Sequence, residues 1–261
     1  MLQILPPHPA LRPFVKAYWY LHLQHKAPAI SIPIAPIPES CLYFYPKDRL
    51  HVNYLDKSTQ TIPDNIITGQ VTVRHNLVIP NNYLMFKVLL QPSGFFRLFG
   101  IPMTLFAGSY EEINLVLGNE IKEIRERIEN AATFGQMVSI TEAFLLRKIV
   151  NYRVEKHAID AVLEQSNFYH FSLDQLAQEA CLSSRQFERK FLERTGVSPK
   201  FYSRIARFNQ AMKLKQKAPQ LSWMHVAHDC GYFDHNHLLR DFKQFTGEVP
   251  SGFDFEKAVI Y

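Results

Sequence analysis

Cysteine is scarce in this chain. Cys41, Cys181 and Cys230 are the three in 261 residues, far apart and in no CxxC pair. That argues against a disulfide framework and fits a reducing, cytoplasmic setting. A long hydrophobic run is missing too. The most apolar stretch, residues 83–107, is interrupted by Lys87, Gln91, Pro92, Arg97 and Pro102. No segment therefore offers the ~20 apolar residues that a membrane-crossing helix needs. The opening "MLQILPPHPALRPF" has no basic segment followed by an apolar one, so no secretory leader is expected. GxSxG, P-loop and GxGxxG patterns are lacking as well, so the chain is not expected to be an enzyme, and no catalytic residue or cofactor is assigned.

What is present is ample material for packed cores, with 47% hydrophobic and 13% aromatic residues. The length suits two domains. To about residue 110 prolines crowd between short β-branched and aromatic runs, "AYWYLHL", "CLYFYP", "NIITGQVTV" and "LMFKVLLQ". That spacing predicts a sheet sandwich or barrel. Its aromatics, Tyr18, Trp19 and Tyr20 with Tyr43, Phe44 and Tyr45, are either sheet core or the lining of a small-molecule pocket, core being the simpler reading. From about residue 111 the period becomes helical. Ile121, Ile124 and Ile128 form one stripe, and Met137, Ile140, Phe144 and Leu145 another. These linker helices are expected to cap the sheet, with a dimer seam as the alternative. The domain boundary is placed near 154–157, giving a β-rich sensor domain over 1–154 and an all-α domain over 155–261, hence an α+β chain of two domains.

Beyond residue 170 the chain repeats itself. "LDQLAQEACLSSRQFERKFLERTGVSPKF" aligns with "SWMHVAHDCGYFDHNHLLRDFKQFTGEVPSGF", the second copy having one extra residue at its turn. Ala177 matches Ala227, Phe191 matches Phe242, and Thr195-Gly196 matches Thr246-Gly247. Each copy has a cap, a short helix, a turn and a second helix. Ser172 with Gln175 is a capping-box pattern, Ser183 or Ser184 can cap the next helix, and Gly196 can end it. In the second copy Ser222 and Asp234 are the caps and Gly231 supplies the turn. Two helices joined by a tight turn form a helix-turn-helix, whose second helix can lie in a major groove.

The outward positions of the two second helices are then the candidate base readers. They are Arg185, Glu188 and Arg189 in the first unit, and His235, Asn236, His237 and Arg240 in the second. Arg can take guanine bidentately, Asn adenine, and Glu can accept from cytosine. Ser184, Lys190, Arg194, Lys213 and Lys243 are the expected phosphate contacts. Between residues 183 and 217 ten basic residues stand against two acidic ones, the footprint of phosphate binding. "SPKFYSRIARFNQAMKLKQK" predicts a joining helix from Pro199 to Lys217, about 28 Å long, close to one turn of DNA.

The four histidines and one cysteine of "HVAHDCGYFDHNH" raise a metal reading. The segment lacks CxxC and HxxxH spacing, and its turn divides the histidines between two helices, so no metal is expected.

The paired units "LAQEACLSSRQFERKFLERTGVSPKFY" and "VAHDCGYFDHNHLLRDFKQFTGEVPSGF", joined by "IARFNQAMKLK", resemble the AraC family of bacterial transcription regulators over about the last 100 residues. The resemblance implies seven helices holding two helix-turn-helix units, with the same residues in base-reading positions. Cys181 departs from it, standing where the first turn usually has glycine, and so does Val226-Ala227 in place of Ile-Ala. "PHPALRPFVKAYWYLHL", "PESCLYFYP" and "LFGIPMTLF" carry a weaker likeness to the β-rich sensor domain of some members. Double-stranded DNA is the expected partner and a membrane is not. A small-molecule effector, RNA polymerase and a second copy of the chain are left open, and the effector-binding residues are not readable.

Overall fold

The computed structural model describes residues 1–26, 29–151, 157–165 and 168–253. The expected boundary at 154–155 lies outside the described residues. Before it come ten strands: β1 (Leu2–Leu5), β2 (Val15–Gln24), β3 (Ile30–Ile34), β4 (Cys41–Phe44), β5 (His51–Tyr54), β6 (Thr59–Thr61), β7 (Asn65–Thr68), β8 (His75–Ile79), β9 (Asn82–Leu90) and β10 (Tyr110–Glu112). They form two antiparallel sheets, β1-β2-β9-β4-β7-β10 and β3-β8-β5-β6.

Alternation along β9 explains the layers. Leu84, Phe86, Val88 and Leu90 pack with Ile121, Ile124, Met137 and Phe144 of the helices. Tyr83 and Met85 point the other way, toward Val52 and Ile79 of the four-stranded sheet. A strand covered on both faces reads as a nearly continuous apolar run, as this one does. Its one charge, Lys87, is 1% exposed, meets Glu39 at 2.8 Å and lies over the Trp19 ring at 5.2 Å. A charge so buried needs such a partner. Three of the aromatics are sheet core, Tyr18 and Phe44 facing the helices and Tyr45 the second sheet, while half-buried Trp19 lines an apolar cavity of about 340 Å³ with Leu21, Leu77 and Met85. Pro33 sits in β3, at the sheet edge, where a missing N–H costs no ladder bond.

Short α1 (Gly94–Phe99) follows the sheet. Glu111 and Glu112 belong to β10 rather than to a helix start, and helix begins at α2 (Ile113–Leu117). The helix read from residue 111 onward is broken at Gly118, whose φ of 75° ends α2 before α3 (Asn119–Glu129) begins. Both α3 and α4 (Phe134–Asn151) lie on the six-stranded sheet as its cap.

His75 supplies a test of this domain. Its Nδ1–H donates to the Val73 carbonyl at 3.0 Å, its Nε2 meets the Tyr110 hydroxyl, and the Tyr54 ring packs beside it. Burial pushes its pKa below the ordinary histidine value. The unfolded chain then binds a proton that the folded one refuses, so stability is full above the unfolded value of about 6.5 and declines as pH falls toward the depressed folded value. Urea midpoints at pH 7.5 and pH 5 are expected to differ, and His75→Asn to narrow the gap. An equal gap in the variant would remove His75 as the cause.

The second part is helical: α5 (Ala158–Leu163), α6 (Leu173–Glu179), α7 (Ser184–Thr195), α8 (Pro199–Lys217), α9 (Trp223–Asp229) and α10 (His235–Thr246). The seventh helix that the family resemblance implies has no counterpart among the described residues.

Candidate nucleic-acid interface

The duplication read in the sequence is a duplication of local hydrogen bonding. Ser172 and Gln175 form a capping box on α6, and Ser183 and Gln186 form another on α7. Ser222 caps α9 through the His225 N–H, and Asp234 caps α10 through that of His237. After α6 the Leu182 N–H reaches back to the Ala177 carbonyl at 2.9 Å, and after α9 the Tyr232 N–H reaches Ala227 at 2.9 Å. Both first helices thus end in the same left-handed turn. Gly231 makes it at φ 71°, while Cys181 makes it at φ 53°, a region costly for a residue with a Cβ. The second helices end alike, with Thr195 and Thr246 hydroxyls donating to the Phe191 and Phe242 carbonyls and a left-handed glycine after each.

Each unit has its own core, and α8 runs through both. Leu176, Ala177, Phe187 and Phe191 pack with Tyr202 of its first turn. Val226, Ala227, Leu238 and Phe242 pack with Ile205, Phe208 and Met212 further along. Nineteen helical residues shared between two cores hold the units as one body.

Arg185, Glu188 and Arg189 are exposed on α7, as are Asn236, Arg240 and Lys243 on α10. His235 and His237 are half-buried in the first turn of α10, with the His237 ring edge-on to Tyr232 at 5.3 Å. Lys190 is half-buried, and the Ser184 hydroxyl donates to Asp174 at 2.7 Å. Two expected phosphate contacts need correction. Arg194 is 2% exposed and donates to Asp160 at 2.8 Å, because it lies seven residues after Phe187 on the inward stripe of α7. Lys213 lines the cleft against the N-terminal domain, near Glu39, Lys16 and Lys87, where burial holds its pKa below the ordinary lysine value.

Sequence reasoning passed over Phe233 and Arg207. Phe233 is the extra residue of the second turn and stands 93% exposed. The one-residue offset between the copies was its signal. Arg207 sat among many bases on α8, and nothing in the sequence set it apart.

The histidine-rich segment disperses. His225 and His228 pair with Asp229, whereas His235 and His237 lie on α10. Cys230 is core, with burial pushing its thiol up to about 11. No group of three or more His, Cys, Asp or Glu side chains able to hold a metal occurs among the described residues. No helix among them is long and apolar enough to cross a membrane.

Comparison with known proteins agrees with this anatomy. Residues 176–254 match the family described as "Helix-turn-helix domain", and residues 3–112 match a "Domain of unknown function (DUF6597)". No curated protein sequence matches the chain. Among solved structures it is similar to ToxT from Vibrio cholerae O395, at 12% identity over 95% of this chain and 99% of that one, TM-score 0.46. It is similar also to ToxT from Vibrio cholerae strain SCE256 with bound unsaturated fatty acid, at 12% identity over 90% and 92%, TM-score 0.44. A third is the AraC-like transcriptional activator CuxR, at 14% identity over 80% and 86%, TM-score 0.28. A β-rich domain followed by a duplicated helix-turn-helix on one shared helix defines a DNA-binding transcription regulator. Residues 176–254 belong to that helix-turn-helix domain family, and their paired units are similar to those of the AraC family.

Proposed function

We propose that the chain reads two adjacent major grooves of one duplex, α7 in the first and α10 in the second, under control of its N-terminal domain. One observation carries this reading: two equivalent units are fixed on a single helix about 28 Å long, with polar, exposed outer faces. Arg185, Glu188 and Arg189, and His235, Asn236, His237 and Arg240, are the base readers. Ser184, Lys190 and Lys243 hold phosphate.

Control enters through contacts that tie the N-terminal domain to both units. Asn209 donates to the Pro36 carbonyl at 2.8 Å, Arg74 meets Glu248 at 3.3 Å, and Arg194 lies over the Phe96 ring at 4.9 Å. A cleft of about 420 Å³ lies at this junction, lined by Lys16, Leu89, Phe168, Tyr202, Asn209 and Lys213 among others. Two lysines and two carboxylates, Glu39 and Glu164, stand among its polar and apolar walls, which suits a small molecule carrying both polar and apolar groups. Such an effector acts by preferring one arrangement of domain and units over another. The test is selection of bound duplexes from a random pool, followed by footprinting. Two protected patches about one helical turn apart are expected. A single patch, or a pool that never converges, would refute two-groove reading.

A further inference from the structure

We infer that the cleft between the two units is a phosphate site, gripping the DNA backbone where it crosses from one groove to the next. It rests on the DNA-reading role proposed above. The cleft measures about 370 Å³. Glu188 of α7 and His237 of α10 stand on its walls, and Lys200, Ser203, Arg204 and Arg207 of α8 line it between them. A hollow walled by both reading helices is covered by any duplex that both engage.

Its charges are unequally matched. Arg204 is neutralised, donating to Asp241 at 2.6 and 3.0 Å and capped by Gln244. Arg207 has no such partner. Its guanidinium stacks on Tyr232 at 5.2 Å, and one Nη2–H reaches the Tyr169 carbonyl at 3.5 Å. Its buried Nε–H has no acceptor among the described residues. No carboxylate lies within ion-pair distance of Arg207 or Lys200 among those residues. A half-buried guanidinium held over an aromatic ring, with donors left over, is organised for an oxyanion. The Ser203 hydroxyl and the His237 ring add further hydrogen-bonding groups, and Lys200 a second charge at the rim. Glu188 is the one carboxylate of the lining and is exposed at its α7 wall, outnumbered by Lys200, Arg204 and Arg207.

The test is binding of the full chain to its selected duplex, and to an unrelated duplex, as a function of salt. Arg207→Gln is expected to weaken both about tenfold near 0.1 M salt and to make the log K against log[salt] slope shallower by about 0.9. Arg207→Lys, which keeps the charge, is expected to restore most of the slope. Lys200→Gln, at an exposed position, is expected to act in the same direction and carries the test if Arg207→Gln fails to fold. Slopes equal to wild type in the folded variants would overturn the phosphate site. Calorimetric binding of inorganic phosphate that depends on Arg207, with unchanged DNA slopes, would overturn it in favour of a free-anion site. Failure of the wild-type chain to bind any duplex would instead sink the DNA-reading role itself.

Discussion

Replacing Asp160 with alanine is expected to lower the stability of the helical domain by about 3–5 kcal/mol, the usual cost of stripping one partner from a buried ion pair. Both side chains are sealed, Asp160 at 0% and Arg194 at 2% exposure. Asp160 accepts from Arg194 Nε at 2.8 Å and from the His157 N–H at 2.9 Å, so it also caps α5. Arg194 donates onward to the Lys190 carbonyl and covers Phe96 of the N-terminal domain. Without the carboxylate the guanidinium stays buried with its main Nε–H bond unmet. Urea unfolding followed by helix circular dichroism measures the loss. The double change Asp160→Leu with Arg194→Met removes both charges and is expected to recover most of it, since a buried pair gains little over apolar packing of similar volume. A single-variant loss under about 1 kcal/mol would mean that Arg194 finds solvent or another acceptor, contrary to its burial. Because α7 carries three of the proposed base-reading positions, the destabilised variant is expected to lose DNA affinity as well.

Arg194 also marks the limit of what its sequence revealed. The caps, the turn glycines and the apolar stripes were legible because each is set by residues within a few positions. Ser172 with Gln175, Ser183 with Gln186, and the Phe187–Phe191 face all stand where spacing put them. The inward direction of Arg194 is equally written in that spacing, seven residues beyond Phe187, but its charge suggests a phosphate contact instead. Asp160, its partner, lies 34 residues away, and no local pattern joins them. Lys213 was misread for another reason. It sits on the side of α8 that meets the N-terminal domain, a contact made only by the tertiary fold. In the sheets, the strongest runs became β2, β4, β7 and β9, of which the last three are buried from both sides while β2 is half-buried. β1, β5 and β6 were passed over because short edge or half-polar strands leave little alternation to see. The order of strands depends on pairings far apart in sequence, such as Val15 with Leu90, which composition cannot specify.

Arg189→Ala is expected to weaken binding to the selected duplex by about ten- to a hundredfold and to relax base preference at one position, the signature of a lost bidentate contact to guanine. Arg189 is exposed on α7 with no carboxylate within ion-pair distance among the described residues, so its removal leaves no buried group unmet and the fold is expected to persist. The loss therefore measures recognition rather than stability, which circular dichroism of the variant checks. Lys213→Ala is the matched control. Its ammonium faces Glu39 and Lys16 across the domain junction, so the salt slope on any duplex is expected to stay at the wild-type value. The pair separates the two faces of the helical domain. Equal loss on all sequences for Arg189→Ala would make it a backbone contact. A flattened slope for Lys213→Ala would mean that the domain junction opens on DNA and frees that lysine for phosphate. Unchanged binding in both would leave α7 outside the groove, and two-groove reading would fail with it.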